Sequence, residues 1–450
     1  MLSFFKNKKI LLLLAHVLLG FIFPIGSLGK LFTASLILYA LISIFRTKNK
    51  NNEALIWTGY FVGAEVFFRM TNSVLSWELT KYLVIILLTF GMIVEKRKHI
   101  LSPVYIYVTL LFLIGIAFTK VPYPESIRKA ILFNLSGPIS LCFSALYCYK
   151  RKLSRERVLQ FLFFLGLPMI AVVSYLFFKT PSLSEIKFGG ASNFDASGGF
   201  GPNQVSTTLG VGFFAIGVYL ILKKRFSGYL LLDLFLFGYM TFRGMMTFSR
   251  GGVLTGVTML LSFLFFYFLA SKNKAKNFLK YSIITIVGVV SLWTYGVIAT
   301  KGQLFNRYTN RGFKGNVKQD ITSGRGDIFE NDLQSLYENP IFGIGVGSGK
   351  YVRISSGEKV VAAAHNEVSR LLGEHGTIGI IILILLIVVP VIHILKQPLI
   401  YKAFLSTFLI FWFMTINHSA MRLAFPGFLY GISLITITEK NEEEDSILWE

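Results

Sequence analysis

Charge is what this chain has little of. Only 15% of its 450 residues are Asp, Glu, Lys or Arg, where a soluble domain carries about a quarter. Hydrophobic residues make up 54%, phenylalanine alone accounts for 44 positions, and the mean hydropathy is +0.62. Together these exclude a soluble globular class and indicate a polytopic membrane protein. Cysteine is nearly absent. Cys142 and Cys148 share one apolar run at a spacing that puts them on different helix faces, so neither a disulfide framework nor a thiolate metal site is readable. Acidic residues are scarce as well, 23 against 45 basic, for a net charge of +22. Nucleic acid needs a basic face on a folded domain, and no such domain is visible, which excludes it as a partner.

Other motifs are missing too. No cytoplasmic ATP-binding motif and no repeat of obvious period is present. The run "GIGVGSG" (343–349) lacks the strand–helix surroundings and third-glycine position of a dinucleotide fingerprint, and reads as a turn or an anion nest. Asp320, Asp327, Glu330 and Asp332 share one segment without metal-ligand spacing; they suit a helix start and its solvated face. No metal or cofactor is expected.

What is present is a series of apolar runs. About fourteen meet the 17–25-residue requirement for a span: 8–25, 30–46, 54–72, 78–95, 101–119, 130–149, 157–178, 203–222, 228–243, 250–270, 278–298, 375–396, 400–417 and 421–438. The fold class is therefore all-α, with about 12–14 transmembrane helices. The N-terminal run resembles a signal sequence but has no small-residue cleavage site after it, so it reads as a retained first helix. Basic clusters at 46–52, 95–99, 149–157, 223–225 and 271–280 all fall on the cytoplasmic side if the N-terminus does. That parity puts 179–202 and the long interruption 299–370 outside. The expected organisation is a helix bundle over 1–298, an external loop over 299–370, C-terminal spans over 371–438 and an acidic cytoplasmic tail, 439–450.

The loop has internal order. In 327–340, Phe329, Leu333 and Leu336 recur at helical spacing, which predicts a short amphipathic helix buried on that stripe and ended by Pro340. "AHNEVSRLLGEHG" then runs as a helix into the next span, with Gly376 near its end or at a bend.

Ionisable groups at membrane depth are costly and tend to be functional. Arg250 opens a span in "TFSRGGVL", where it either marks the interface or meets a ligand beside two glycines. Arg243 lies upstream, open to either role. Arg325, in "TSGRGDIF", offers a planar fork for phosphate oxygens or pairs with Asp327 or Glu330. His365 is the group able to exchange protons near neutral pH, with Asn366 and Glu367 placed to orient it or bind hydroxyls. His375 and His418 are two further histidines near the same face, and one of the three is expected to be structural.

"FSRGG", then "SGRGDIFENDLQSLYENPIFGIGVGSGKY", then "AHNEVSRLLGEHGTIG" resembles, in collinear order over roughly 248–380, the signature of the O-antigen ligase and polymerase superfamily. "GPNQVSTTLG" (201–210) is similar to that family's Pro-Asn at the end of a span. The resemblance implies a metal-independent C-type glycosyltransferase of the bacterial inner membrane, acting on the periplasmic face. Arg250 and Arg325, with Arg243, would hold the pyrophosphate of an undecaprenyl-linked glycan. His365 would act at the acceptor, supported by Asn366, Glu367 and Glu374. The acceptor would be lipid A-core, another glycan or a protein; a repeat-unit polymerase is the alternative. A flippase of lipid-linked glycan would share the spans but has no need of the Arg–Arg–His set. A peptidoglycan-polymerase type would depend on an external carboxylate, and none is set apart here.

Overall fold

The computed structural model describes residues 2–23, 27–96, 100–271, 274–317, 325–355 and 366–439. His365, Asp320 and the tail from 440 onward lie outside them.

The chain is all-α. The first half contains α1 (Leu2–Ile22), α2 (Leu28–Thr47), α3 (Glu53–Met70), α4 (Leu79–Val94), α5 (Pro103–Ile114), α6 (Ile127–Cys148), α7 (Arg155–Lys179) and α8 (Pro202–Ile221). The second half contains α9 (Leu230–Met246), α10 (Arg250–Ala270), α11 (Lys274–Ala299), α12 (Gln303–Tyr308), α13 (Arg325–Glu338), α14 (Gly349–Ser355), α15 (Glu367–Leu395), α16 (Leu399–His418) and α17 (Phe425–Ile432). The one sheet among the described residues is a parallel pair, β1 (Lys152–Ser154) and β2 (Thr436–Thr438).

A helix meets each of the fourteen apolar runs. Among the described residues, seven of these helices are long and apolar enough to cross a membrane, and shorter apolar helices accompany them. The reasons for falling short are local. The α4 helix has 16 residues, about 24 Å at 1.5 Å per residue. The α3 helix is long enough but carries Glu53, Glu65 and Arg69. The run 421–438 departs from expectation, because only 8 of its residues are helical, about 12 Å. Residues 419–424 are non-helical and largely buried, and 436–438 form β2. Non-helical backbone is stable at membrane depth only where protein satisfies it. Here the Ala424 N–H donates to Glu65 Oε2 (2.7 Å), and Glu65 in turn pairs with Arg69 (2.7 Å).

The bundle has two ends that differ in kind. At one, Arg151 pairs with Glu95 (2.7 Å), stacks on Tyr147 and donates to Asn52, next to the β1–β2 pair. At the other, called here the loop face, lie the segments 180–201, 300–317 and 339–348. The first helix is integral to this bundle: Ser174 Oγ donates to the Val17 carbonyl, and buried His16 meets the Tyr60 hydroxyl. Both cysteines are buried thiols on α6.

Glycine sets a close approach between α8 and α10. A Cβ on Gly252 of α10 would overlap the backbone of Ser206 and Thr207 on α8. Overpacking of this kind costs about 1–3 kcal/mol or more. Gly252→Ala is expected to lower the melting temperature of the detergent-solubilised protein and its folded yield. An unchanged melt would show that α8 and α10 move apart freely.

Candidate functional site: four helix N-termini at the loop face

The site assembles around the turn between α9 and α10. Ser249 precedes α10 in extended conformation, and its Oγ donates to Asn203 Oδ1 (2.6 Å) in the first turn of α8. Ser206 Oγ donates back to the Ser249 carbonyl (2.9 Å). The "GPNQ" and "FSRGG" motifs, over forty residues apart in sequence, thus become one structure. Arg250 is the first residue of α10. It is half-buried, with no hydrogen-bond or ion-pair partner among the described residues. The next residue, Gly251, lies under the His418 ring, which any added Cβ would strike.

His418 ends α16, and the preceding Asn417 accepts from Asn366 Nδ2 (3.4 Å). Asn366 is the N-cap of α15: its Oδ1 accepts from the N–H groups of Val368 (2.8 Å) and Ser369 (3.3 Å), as an N-cap Asn is suited to do. The first turn of α15 is therefore tied to the last turn of α16, whose His418 covers Gly251, and His365 is the residue immediately before this cap.

Arg325 is the first residue of α13. This helix runs parallel to α15. Asp332 meets Ser369 (2.7 Å) and Gly373, while Thr377 N–H donates to the Pro340 carbonyl eight residues further along both segments. Their N-terminal ends accordingly lie at the same end. With α8 and α10, four helices present their N-termini to one region. Each N-terminus carries about half a positive charge; α8 and α10 have no side-chain cap, while Asn366 meets two of the N–H groups of α15, and the region is suited to an anion.

Around this centre the structure adds residues that the sequence reading passed over. Arg307 Nε donates to the Phe248 carbonyl (2.8 Å) and its Nη1 to Gly190 (3.1 Å), tying the segment 180–201 over the α9–α10 turn. Tyr308 is pushed up to about 12 by burial, against the pull of Arg250 and Arg307. Its hydroxyl has no partner among the described residues. Arg243, expected at the pyrophosphate, gives its Nη2 to Thr180 Oγ1 (2.9 Å) and to the carbonyls of Leu176 and Ala196. It holds the start of the 180–201 segment against α9.

Glu367 and Glu374 share one guanidinium. Arg370 binds Glu367 through both Nε and Nη2, and Glu374 through Nη1 (2.6 Å), all three nearly sealed from solvent. Their spacing of three and four residues is the one at which helical side chains meet, so the triad was readable as E-x-x-R-x-x-x-E only once the helix was known. His375 is buried against Phe112 and Gly115.

Two expectations for the loop need correction. The α13 helix buries Ile328, Asp332 and Ser335, whereas Phe329 is exposed and Leu333 and Leu336 are half-buried. Asp332 does not belong to a solvated face. It receives Arg353 Nη1 (2.8 Å) and Ser369 Oγ (2.7 Å). Burial pushes its carboxyl up, while Ser369 and the two nearby arginines, Arg353 and Arg370, pull it down. Close packing on Gly373 demands the polar, smaller stripe on that side. The glycine run 343–349 is a wedge. Gly343, Gly345 and Gly347 all have positive φ. A Cβ at Gly345 would overlap Phe118, and one at Gly343 would overlap Glu374. Gly376 (φ 59°, ψ −138°) bends α15 where this wedge docks.

These elements define a class: a multi-pass membrane protein with helix ends and arginines gathered at one face. Residues 234–384, from α9 to the middle of α15, match the family model described as O-antigen ligase (Wzy_C). Over that segment the chain thus carries a domain similar to the O-antigen ligase family. No curated protein matches the chain.

Proposed function

We propose that the chain moves a glycan from undecaprenyl pyrophosphate to an acceptor hydroxyl, in the manner of an O-antigen ligase, on the periplasmic face of the bacterial inner membrane. The observation that carries this reading is the junction in which Arg250 and the N-cap Asn366, both inside the matched segment, meet Asn203 and His418 from helices on either side of it in sequence.

The chemistry follows from the parts. The bond that breaks joins the sugar's anomeric carbon to the pyrophosphate oxygen, and negative charge grows on the leaving group. Arg250 and Arg325, with the N–H groups of α8, α10, α13 and α15, are suited to stabilise it without metal or nucleotide. The bond that forms joins the acceptor oxygen to the anomeric carbon. His365, directly before Asn366, is assigned the acceptor's proton as general base. Attack opposite the leaving group inverts the anomeric centre. Arg243, Glu367 and Glu374 act in this reading as braces, holding the loop and α15 that carry the reacting groups.

The test is a gel profile of surface glycan and lipid-linked glycan in a deletion strain complemented with wild type or His365→Ala. The ligase reading expects surface glycan to disappear in the variant while long chains accumulate on the lipid carrier. Surface glycan capped with a single repeat would make the chain a polymerase. An unchanged profile, with normally inserted protein, would remove His365 from the mechanism and leave a transport role to be examined.

A further inference from the structure

Between the first turns of α6, the start of α14 and the first turns of α15 lies a cavity of about 460 Å³, within the usual range for small-molecule sites. It joins two parts of the chain, because α6 lies outside the matched domain and α14 and α15 lie within it. Its ionisable lining is four cations, Lys129, Lys350, Arg353 and Arg370, against two carboxylates, Asp332 and Glu374. The two arginines are committed: Arg353 to Asp332, Arg370 to Glu374 and Glu367. The two lysines come from different elements, one from α6 and one from α14. Neither pairs with a carboxylate among the described residues. The net charge offered to an occupant is therefore positive and sits on the two lysines, with Lys350 Nζ over the Tyr351 ring (5.4 Å).

The rest of the lining suits a sugar. Tyr351 and Phe133 supply flat apolar surface of the kind on which pyranose rings rest, and the floor of paired arginines and carboxylates presents many hydrogen-bonding atoms. Location selects a glycan over a stray phosphate. Arg370 and Glu374 lie one and two turns along α15 from Asn366, about 6 and 12 Å at 1.5 Å per residue. A saccharide with one unit at the reacting centre would reach the cavity with a neighbouring unit.

We propose that this cavity is a subsite for an anionic sugar, carrying a carboxylate or a phosphate, which Lys129 and Lys350 recognise next to the reacting unit. The proposal rests on the transferase reading for its orientation. Its test contains no transfer step.

The full chain in nanodiscs would be titrated calorimetrically with a galacturonic acid tetrasaccharide and with neutral maltotetraose. Wild type is expected to bind the acidic oligosaccharide, more weakly as salt rises, and to bind the neutral one at least ten-fold less tightly. The double variant Lys129→Glu/Lys350→Glu is expected to lose at least ten-fold in affinity for the acidic ligand. If its melting temperature shows it misfolded, Lys129→Gln/Lys350→Gln replaces it. Equal binding of the two oligosaccharides, unchanged affinity in the folded variant, or no binding by wild type would each overturn the assignment. A failure here would leave the His365 experiment untouched. A failure of that experiment would leave a glycan-binding cavity without a transferase.

Discussion

Arg250→Ala is expected to reduce glycan transfer by roughly two to three orders of magnitude, the usual loss when one pre-organised donor to developing negative charge is removed. Protein abundance and melting temperature should barely move. Arg250 is half-buried at the start of α10 and has no ion-pair partner among the described residues, so its removal strands no described counter-charge. Arg250→Lys should recover only part of the rate, because an ammonium replaces a planar fork with a point charge. The check is single-turnover transfer from purified lipid-linked donor, with protein amount measured on the same membranes. Full activity in Arg250→Ala would move the anion site elsewhere, and Arg307 with Tyr308 would then be its nearest cationic neighbourhood.

The second large effect falls on stability. Arg370→Ala leaves Glu367 and Glu374 buried without their counter-charge, and breaking a buried pair in this way costs about 3–5 kcal/mol. The triad holds the first two turns of α15, on which Asn366 is seated, so activity should fall with stability. A triple replacement, Arg370→Met with Glu367→Gln and Glu374→Gln, should regain much of the melting temperature, since no charge is then stranded. Thermal unfolding in detergent, followed by tryptophan fluorescence, reads both variants. A single variant as stable as wild type would show that water reaches the two carboxylates.

How much of this was legible in the sequence varies with the range of the interaction. Apolar runs and the order of the polar motifs are local properties, and they led to the helices and to the matched segment. Gly376 at a bend was also visible, since a glycine inside an apolar helix has few other uses. The face of α13 was not. Apolar periodicity pointed to Phe329, Leu333 and Leu336, but the partner across the interface is Gly373 with Ser369, and a polar stripe fits that surface better. Arg307 was passed over because its partners, the carbonyls of Phe248 and Gly190, are backbone atoms far off in sequence. Arg243 was recognised as a buried cation, yet no pattern in the sequence could distinguish a ligand from three protein acceptors.

The half-helical stretch from 419 to 435 has a consequence for how the molecule is made. An 8-residue helix cannot enter a bilayer as an independent span, because the backbone before it would reach lipid with its N–H groups unmet. Glu65, on a helix synthesised hundreds of residues earlier, supplies the acceptor for Ala424. Until that moment its carboxylate is held by Arg69 in the same helix. Assembly must therefore be ordered: α3, α6 and α16 form a slot first, and the end of the chain is threaded into it last, where it closes the wall behind His418.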